Sequence, residues 1–283
     1  MASNGCCSQK TFHGKVVIVT GSSNGIGRGI AVEFASQGAQ VVITGRDEQA
    51  LQVTRSECVA AGAFEQDVLE FQGDITTMET ATQIINGAMG RFGRIDVLVN
   101  NAGTVLPDSE GRAGCDQPLR LFDDTINVNV RQVLQISQMA VPHLEAVDGC
   151  IVNIGSVSAG PYANVTSAYY AVSKAAVDAL TINMAENWIR RGIRVNIIHP
   201  GVVQSAIGIK LLNSEELAGK MYDAFSTDRQ CIPLRRVGRP EDIAKMAVFL
   251  ADPEKSSFFV GSRITIDGGS ALVNPLLSKT IQL

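Results

Sequence analysis

Val16-Val17-Ile18-Val19-Thr20-Gly21-Ser22-Ser23-Asn24-Gly25-Ile26-Gly27 decides the fold: four β-branched apolar residues run into a glycine turn, and Ile30, Ala31 and Phe34 then recur at helical spacing. A strand is delivered through a turn to the start of a helix. Missing side chains let the backbone turn sharply and approach a pyrophosphate, while the free amides and dipole of the helix start favour its negative charge. A glycine-rich turn alone is also consistent with binding nothing; its place at the first strand of an alternating series is what points to a dinucleotide.

The same rhythm continues along the chain. Apolar runs recur at Val41 to Ile43, Val68 to Phe71, Ile95 to Val99, Ile151 to Ile154, Ile193 to Ile198 and Ile264 to Ile266, with helix-length segments between them. Most lack strict alternation, as strands covered on both faces do. Gly38 marks the end of the first helix, Asp47 can cap the second, and Pro240 suits the first turn of a helix over 241–251. The expectation is an α/β fold: a doubly wound parallel sheet of about seven strands with right-handed crossovers and helices on both faces. No linker, repeat or shift of composition divides the chain, so 13–270 reads as a single domain, 1–12 as a flexible N-terminal arm and 271–283 as a C-terminal tail. Two stretches break the rhythm: 104–121, rich in Gly, Pro and charge, and 202–232, carrying Ile207, Leu211, Leu212, Leu217, Met221, Tyr222 and Phe225. Long excursions at strand ends are rims or lids of a ligand crevice, which makes 202–232 the expected substrate loop.

Composition narrows the function. The 283 residues are 45% apolar and 18% charged, enough to bury a substantial core. Twenty-four Lys plus Arg against 28 Asp plus Glu leave a formal charge of −4, with no basic excess to neutralise a nucleic-acid backbone. No apolar run reaches membrane-spanning length and the first dozen residues lack a secretory signal pattern, so the expectation is a soluble, cytoplasmic protein. Six cysteines show neither paired metal spacing nor disulfide-scaffold density, and His13, His143 and His199 are too scattered for a zinc site; no metal is expected.

The glycine spacing is TGxxxGxG rather than GxGxxG. Asn100-Asn101-Ala102-Gly103 follows the fourth strand, and Tyr170-Ala171-Val172-Ser173-Lys174 opens a helix after the fifth. With Asp74, His199-Pro200-Gly201 and Asp267-Gly268-Gly269 after the third, sixth and seventh strands, the chain resembles the classical short-chain dehydrogenase/reductase family over roughly 13–270. The resemblance implies a Rossmann-type fold and an NAD(P)-dependent oxidoreductase that interconverts a carbonyl and a secondary alcohol.

Tyr170 and Lys174 lie four apart and so share one helix face. A phenol near its reference pKa of about 10 is a poor base at neutral pH, and an adjacent ammonium lowers it. In the family, the residue matching Tyr170 is the acid/base; the one matching Lys174 tunes it and hydrogen-bonds the nicotinamide ribose. Tyr169 does not fit, because Ser173 stands four residues beyond it. Ser156, ending the strand Ile151 to Ile154, resembles the serine that holds the substrate oxygen; Ser158 is a second candidate. The family often has two serines here, and this chain has Gly155-Ser156. Asn129 matches the asparagine whose carbonyl helps hold a water in a proton relay; Asn127 would face elsewhere. The catalytic set is Asn129, Ser156, Tyr170 and Lys174.

For the cofactor, the resemblance implies contacts from Gly21, Ser23, Asn24, Gly25, Ile26 and Gly27 in the turn and from Asn101, Ala102 and Gly103 after the fourth strand. Asp74 and Ile75 would sit by the adenine. Pro200, Gly201, Val203 and Ser205 follow the sixth strand, with Ser205 where a threonine commonly bonds the nicotinamide carboxamide. At the end of the second strand, Gly45 stands where NAD-preferring relatives tend to carry an acid, and Arg46 follows. A guanidinium matches the charge and fork of a 2′-phosphate, which favours NADP(H). Many NADP-preferring members also carry a basic residue where this chain has Asn24, so NAD(H) stays open.

The helix holding Tyr170 is apolar almost all round, from Ala171 to Met184, and needs cover on more than its sheet side. The resemblance implies a homodimer or homotetramer built on it and its neighbour near 124–142. The reading is an NADP(H)-dependent oxidoreductase for a small to medium, partly apolar carbonyl or alcohol, with a sugar or polyol left open by the polar 104–121 stretch. The other reading is a non-catalytic NADP(H)-binding sensor or scaffold, which would have no need of Ser156 and Tyr170.

Overall fold

The computed structural model describes residues 10–160, 167–212 and 214–273. In chain order the elements are β1 (Val16–Val19), α1 (Gly25–Ser36), β2 (Gln40–Gly45), α2 (Glu48–Ala60), β3 (Val68–Gln72), α3 (Met78–Phe92), β4 (Val97–Asn100), α4 (Leu119–Ile126), α5 (Gln132–Glu145), β5 (Cys150–Ile154), α6 (Ala168–Ile189), β6 (Arg194–Pro200), α7 (Ala206–Leu212), α8 (Glu215–Thr227), α9 (Pro240–Ala251), α10 (Pro253–Ser256), β7 (Arg263–Ile266) and α11 (Ser270–Val273). All seven expected strands form, and they pair in parallel in the order β3-β2-β1-β4-β5-β6-β7.

Side chains alternate along each strand and fill two cores. Val17 and Val19 join Ile30, Phe34, Leu51, Ile243 and Leu250 on the face covered by α1, α2 and α9. Val16 and Ile18 join Ile84, Ile136, Leu144, Met184 and Trp188 under α3, α5 and α6. The central strands β1, β4, β5 and β6 are buried throughout, whereas the edge strands β3 and β7 alternate between covered and exposed positions, as strands with one solvated side do. The local punctuation holds: Asp47 accepts the Ala50 amide at 3.0 Å, Gly38 sits at φ 86° beyond α1, and Pro240 opens α9.

The winding reverses between β1 and β4, so the carboxyl ends of these neighbours diverge into a crevice, where ligands of doubly wound sheets bind. Phe12, at the end of the stretch read as an arm, is instead buried, its ring edge-on to Phe34 at 5.0 Å and its amide bonded to Gln37 O at 3.0 Å. The rest of that arm before Lys10, residues 161–166 and the tail beyond Val273 lie outside the described residues. Among the described residues no helix is long and apolar enough to cross a membrane.

Candidate active site

The glycine turn is shaped by close approach. Gly21 has φ 63°, and a Cβ there would stand 2.7 Å from Ala102 Cα. At Gly27 a Cβ would meet Gly21 O at 2.3 Å and Asn101 Nδ2 at 2.4 Å. Both positions therefore exclude any side chain, and the chain after β1 folds flat against the chain after β4. Thr20 and Asn101 stitch the two together. The Thr20 hydroxyl accepts the amides of Asn101 and Ala102, each at 3.1 Å, and the Asn101 side chain donates to Thr20 O at 3.0 Å and Gly21 O at 2.8 Å. Asn101 thus spends its amide on holding the turn in shape. Asn24 stands at the N-cap of α1, its side chain 3.4 Å from Ser23 Oγ. Arg28, one position past Gly27, ties Ser23 O and Thr54 together from behind. The sequence had singled out neither Thr20 nor Arg28, although both flank the glycines directly.

At the carboxyl end of β5 and the start of α6, Ser156, Tyr170 and Lys174 come together. Ser156 Oγ accepts the Ser158 amide at 3.1 Å and hydrogen-bonds the Tyr170 side chain. Lys174 is 5% exposed; its Nζ donates to Ile154 O at 2.8 Å and lies 5.7 Å from the centroid of the Tyr170 ring. Burial pushes this ammonium down from its ordinary 10.5 to about 8. Here the structure differs from the spacing argument, which had Lys174 lowering the phenol. Burial instead raises the Tyr170 phenol above its ordinary value, with the Ser156 hydrogen bond pulling the other way. The reason is geometric: the Lys174 ammonium is turned onto the last carbonyl of β5.

Asn129 lies in a turn of π-helix over Asn127–Arg131, between α4 and α5, a geometry that often marks functional sites. Its side chain is fully engaged, accepting Thr104 N at 2.8 Å and donating to Thr104 O and Ser173 Oγ, each at 2.9 Å. Ser173 in turn donates to Tyr170 O at 2.7 Å, so the residue that disqualified Tyr169 connects Asn129 to the helix of Tyr170. A Cβ on Gly103 would stand 3.3 Å from Asn129 Oδ1 and 3.4 Å from Lys174 Nζ, which places all three around one point. Tyr169 serves the fold instead, because its hydroxyl donates to Gln117 O at 2.6 Å and pins the 104–121 excursion to α6.

Toward the second strand, a Cβ on Gly45 would stand 2.8 Å from Ser23 Cβ. The glycine turn leans on the end of β2, leaving no room for a side chain. Among the described residues the Arg46 guanidinium makes no hydrogen bond or ion pair. The Asp74 carboxyl is held below its usual range by the Thr76 amide and hydroxyl, at 2.9 and 2.7 Å, with a smaller contribution from Arg46. Ile75 packs partly buried at the edge of the second core. After β6, a Cβ on Gly201 would meet Asp267 Cβ at 2.6 Å, and Val203 bridges to Gly238. Both main-chain groups of Ser205 bond the Tyr222 hydroxyl from α8, at 3.3 and 3.1 Å. Phe225, with Met221 and Tyr222 against it, builds a small core with Cys231, Ile232 and Val237, so part of the apolar signal in 202–232 serves the loop itself.

The crevice fits a nicotinamide dinucleotide on its own terms: a turn at a helix start whose Gly21 and Gly27 have no room for a side chain, a guanidinium at one end without a hydrogen bond or ion pair among the described residues, and a buried lysine beside a tyrosine at the other. Comparison with known proteins agrees. The family model described as enoyl-(acyl carrier protein) reductase matches residues 21–271. An uncharacterised oxidoreductase of Thermotoga maritima is 37% identical, over 93% of this chain and 99% of its own. The 3-oxoacyl-(acyl-carrier-protein) reductase of the same organism is 35% identical, over 91% and 98%. Among solved structures, a short-chain dehydrogenase/reductase of unknown function from Caenorhabditis elegans, crystallised with cofactor, superposes with a TM-score of 0.91 at 41% identity, covering 93% of this chain and 97% of that one.

Proposed function

The chain belongs to the short-chain dehydrogenase/reductase family, and is thereby an NAD(P)-dependent oxidoreductase acting on CH–OH or C=O groups; from this we propose that Tyr170 is its acid/base, Ser156 its oxygen-holding donor and NADP(H) its preferred nucleotide. The observation that carries the catalytic reading is the hydrogen-bonded Ser156–Tyr170 pair with buried Lys174 behind it. The dinucleotide, when bound, supplies or takes up the hydride. Tyr170 gives its proton to the substrate oxygen in reduction and accepts it in oxidation; burial keeps the phenol protonated until that oxygen is beside it. Ser156 Oγ accepts from the Ser158 amide and turns its own hydrogen toward Tyr170, so a substrate oxygen seated between the two hydroxyls takes over that hydrogen bond. That donor meets negative charge as it develops on the substrate oxygen. Lys174, brought to about 8, exchanges protons near neutral pH. With the Asn129 side chain committed to Thr104 and Ser173, its share in a proton relay falls to its main chain.

NADP(H) is supported by Arg46 at the end of β2, whose guanidinium has no hydrogen bond or ion pair among the described residues, and by Gly45, where contact with Ser23 excludes the carboxylate that would repel a 2′-phosphate. A small to medium, partly apolar carbonyl compound is supported by Ile207, Ile209 and Leu212, half-buried on α7, and by exposed Leu217 on α8. Association into a homodimer or homotetramer is supported by α6, whose Val172 is 49% exposed with Ala175 and Ala179 exposed along the same face. We place the enzyme in the cytoplasm. The experiment is a panel of carbonyl compounds with NADPH and NADH side by side, followed at the reduced-nicotinamide absorbance. Turnover that vanishes in Tyr170→Phe with nucleotide affinity retained is the expected result; tight binding with no turnover across a broad panel would instead favour a sensor.

A further inference from the structure

Ser156 is gripped by its main chain as well as by its hydroxyl. The Ser156 amide donates to His199 Nδ1 at 3.2 Å, and the Ser156 carbonyl oxygen lies 2.9 Å from the same ring nitrogen. The other ring nitrogen, Nε2, is 3.0 Å from Asp178 Oδ1, and Arg263 Nε donates to that same oxygen at 2.9 Å. A carboxylate only accepts, so Nε2 carries a hydrogen and its neutral ring offers Nδ1 to the Ser156 amide. A doubly protonated ring would donate from Nδ1 to the Ser156 carbonyl instead. Either way Nδ1 has a main-chain partner on Ser156.

The ring also occupies space that a side chain would need. A Cβ on Gly155 would stand 2.6 Å from His199 Nδ1 and 2.8 Å from Cε1, and the Gly155 amide is bonded to Ile198 O at 2.7 Å. His199 is buried, and its partners come from separate elements: Asp178 from α6, four residues past Lys174, and Arg263 from β7. Neither the phosphate turn nor Arg46 belongs to this chain of contacts.

The geometry points to His199 as a positioning residue for the reaction: braced by Asp178 and Arg263, it sets the backbone of Ser156 and thereby aims the serine hydroxyl at the oxygen it shares with Tyr170. The inference rests on the catalytic reading of Ser156 and Tyr170 given above. A hydroxyl displaced by a fraction of an ångström stabilises the ground state and the developing charge less unequally, so the loss appears in kcat rather than in nucleotide binding.

The test uses the full chain and the carbonyl compound that it turns over fastest. His199→Ala is expected to lower kcat about 10–100-fold while the dissociation constant for NADPH, read by its fluorescence, stays within about twofold. His199→Asn, whose amide places a donor and an acceptor near the position of Nδ1, is expected to recover most of the loss. Gly155→Ala crowds the same Nδ1 edge of the ring, so its loss and that of His199→Ala should be non-additive in the double variant. Wild-type kcat in His199→Ala overturns the inference, as does a loss that His199→Asn does not recover. Tyr170→Phe is measured beside them. If it is inactive while His199→Ala is normal, only the positioning role falls; if it keeps turnover, the catalytic reading falls and the positioning role with it.

Discussion

Replacing Lys174 with methionine should remove turnover and, at neutral pH, leave the fold as stable as before or more so. The ammonium is buried, and burial brings its pKa from 10.5 to about 8. At about 1.36 kcal/mol per pH unit, the charged lysine weakens the folded state by about 3 kcal/mol. Against this, methionine leaves Ile154 O without the donor that it has at 2.8 Å, which costs about 1–3 kcal/mol, while its flexible thioether fills the space of the lysine stem. The net at pH 7 is a change of about 0–2 kcal/mol in favour of the variant. The pH dependence is the sharper signature. Because the folded pKa is depressed below the unfolded one, the unfolded chain holds more protons between about pH 8 and pH 10.5, and wild-type stability rises with pH across that window. The penalty is complete below about pH 8 and gone above about pH 10.5. Urea unfolding of both proteins at about pH 6.5 and about pH 10 should therefore move the gap by about 2–3 kcal/mol toward the wild type, with other titrations cancelling in the difference. A gap that does not change with pH, or that moves the other way, would refute the argument that burial of this ammonium is the dominant cost.

Gly27→Ala puts a methyl group 2.3 Å from Gly21 O and breaks the Asn101 contact with the turn; we expect about 2–4 kcal/mol less stability by urea unfolding and much weaker nucleotide binding. Arg46→Ala should raise KM for NADPH about 10–100-fold and leave KM for NADH almost unchanged, the equivalent of one charge-assisted phosphate contact; equal effects on both nucleotides would remove the 2′-phosphate role. Tyr169→Phe loses only the 2.6 Å bond to Gln117 O, so its kcat should stay within about threefold while thermal unfolding reports about 1 kcal/mol of lost stability, in contrast to Tyr170→Phe.

The seven strands, the glycine turn and the helix caps were legible because each is local. A run such as Val16 to Val19 or a cap such as Asp47 is specified by residues within a few positions of one another, where periodicity and backbone freedom act directly. The pairing of Tyr170 with Lys174 was legible for the same reason, since helical spacing alone puts them on one face. The sign of the Tyr170 shift was not, because it depends on how much water the folded chain removes and on which carbonyl Lys174 reaches, and both are set by β5 and α6 meeting. Gly45 against Ser23, Asn129 around Thr104, and His199 between Ser156 and Asp178 were likewise invisible along the chain. Each joins residues 21 to 43 positions apart that lie on different elements. Sequence alone determined the elements and the identities of the chemical groups; only the tertiary structure decided which of those groups touch, since contact between distant segments is fixed by strand order and packing, and no local pattern encodes a distance.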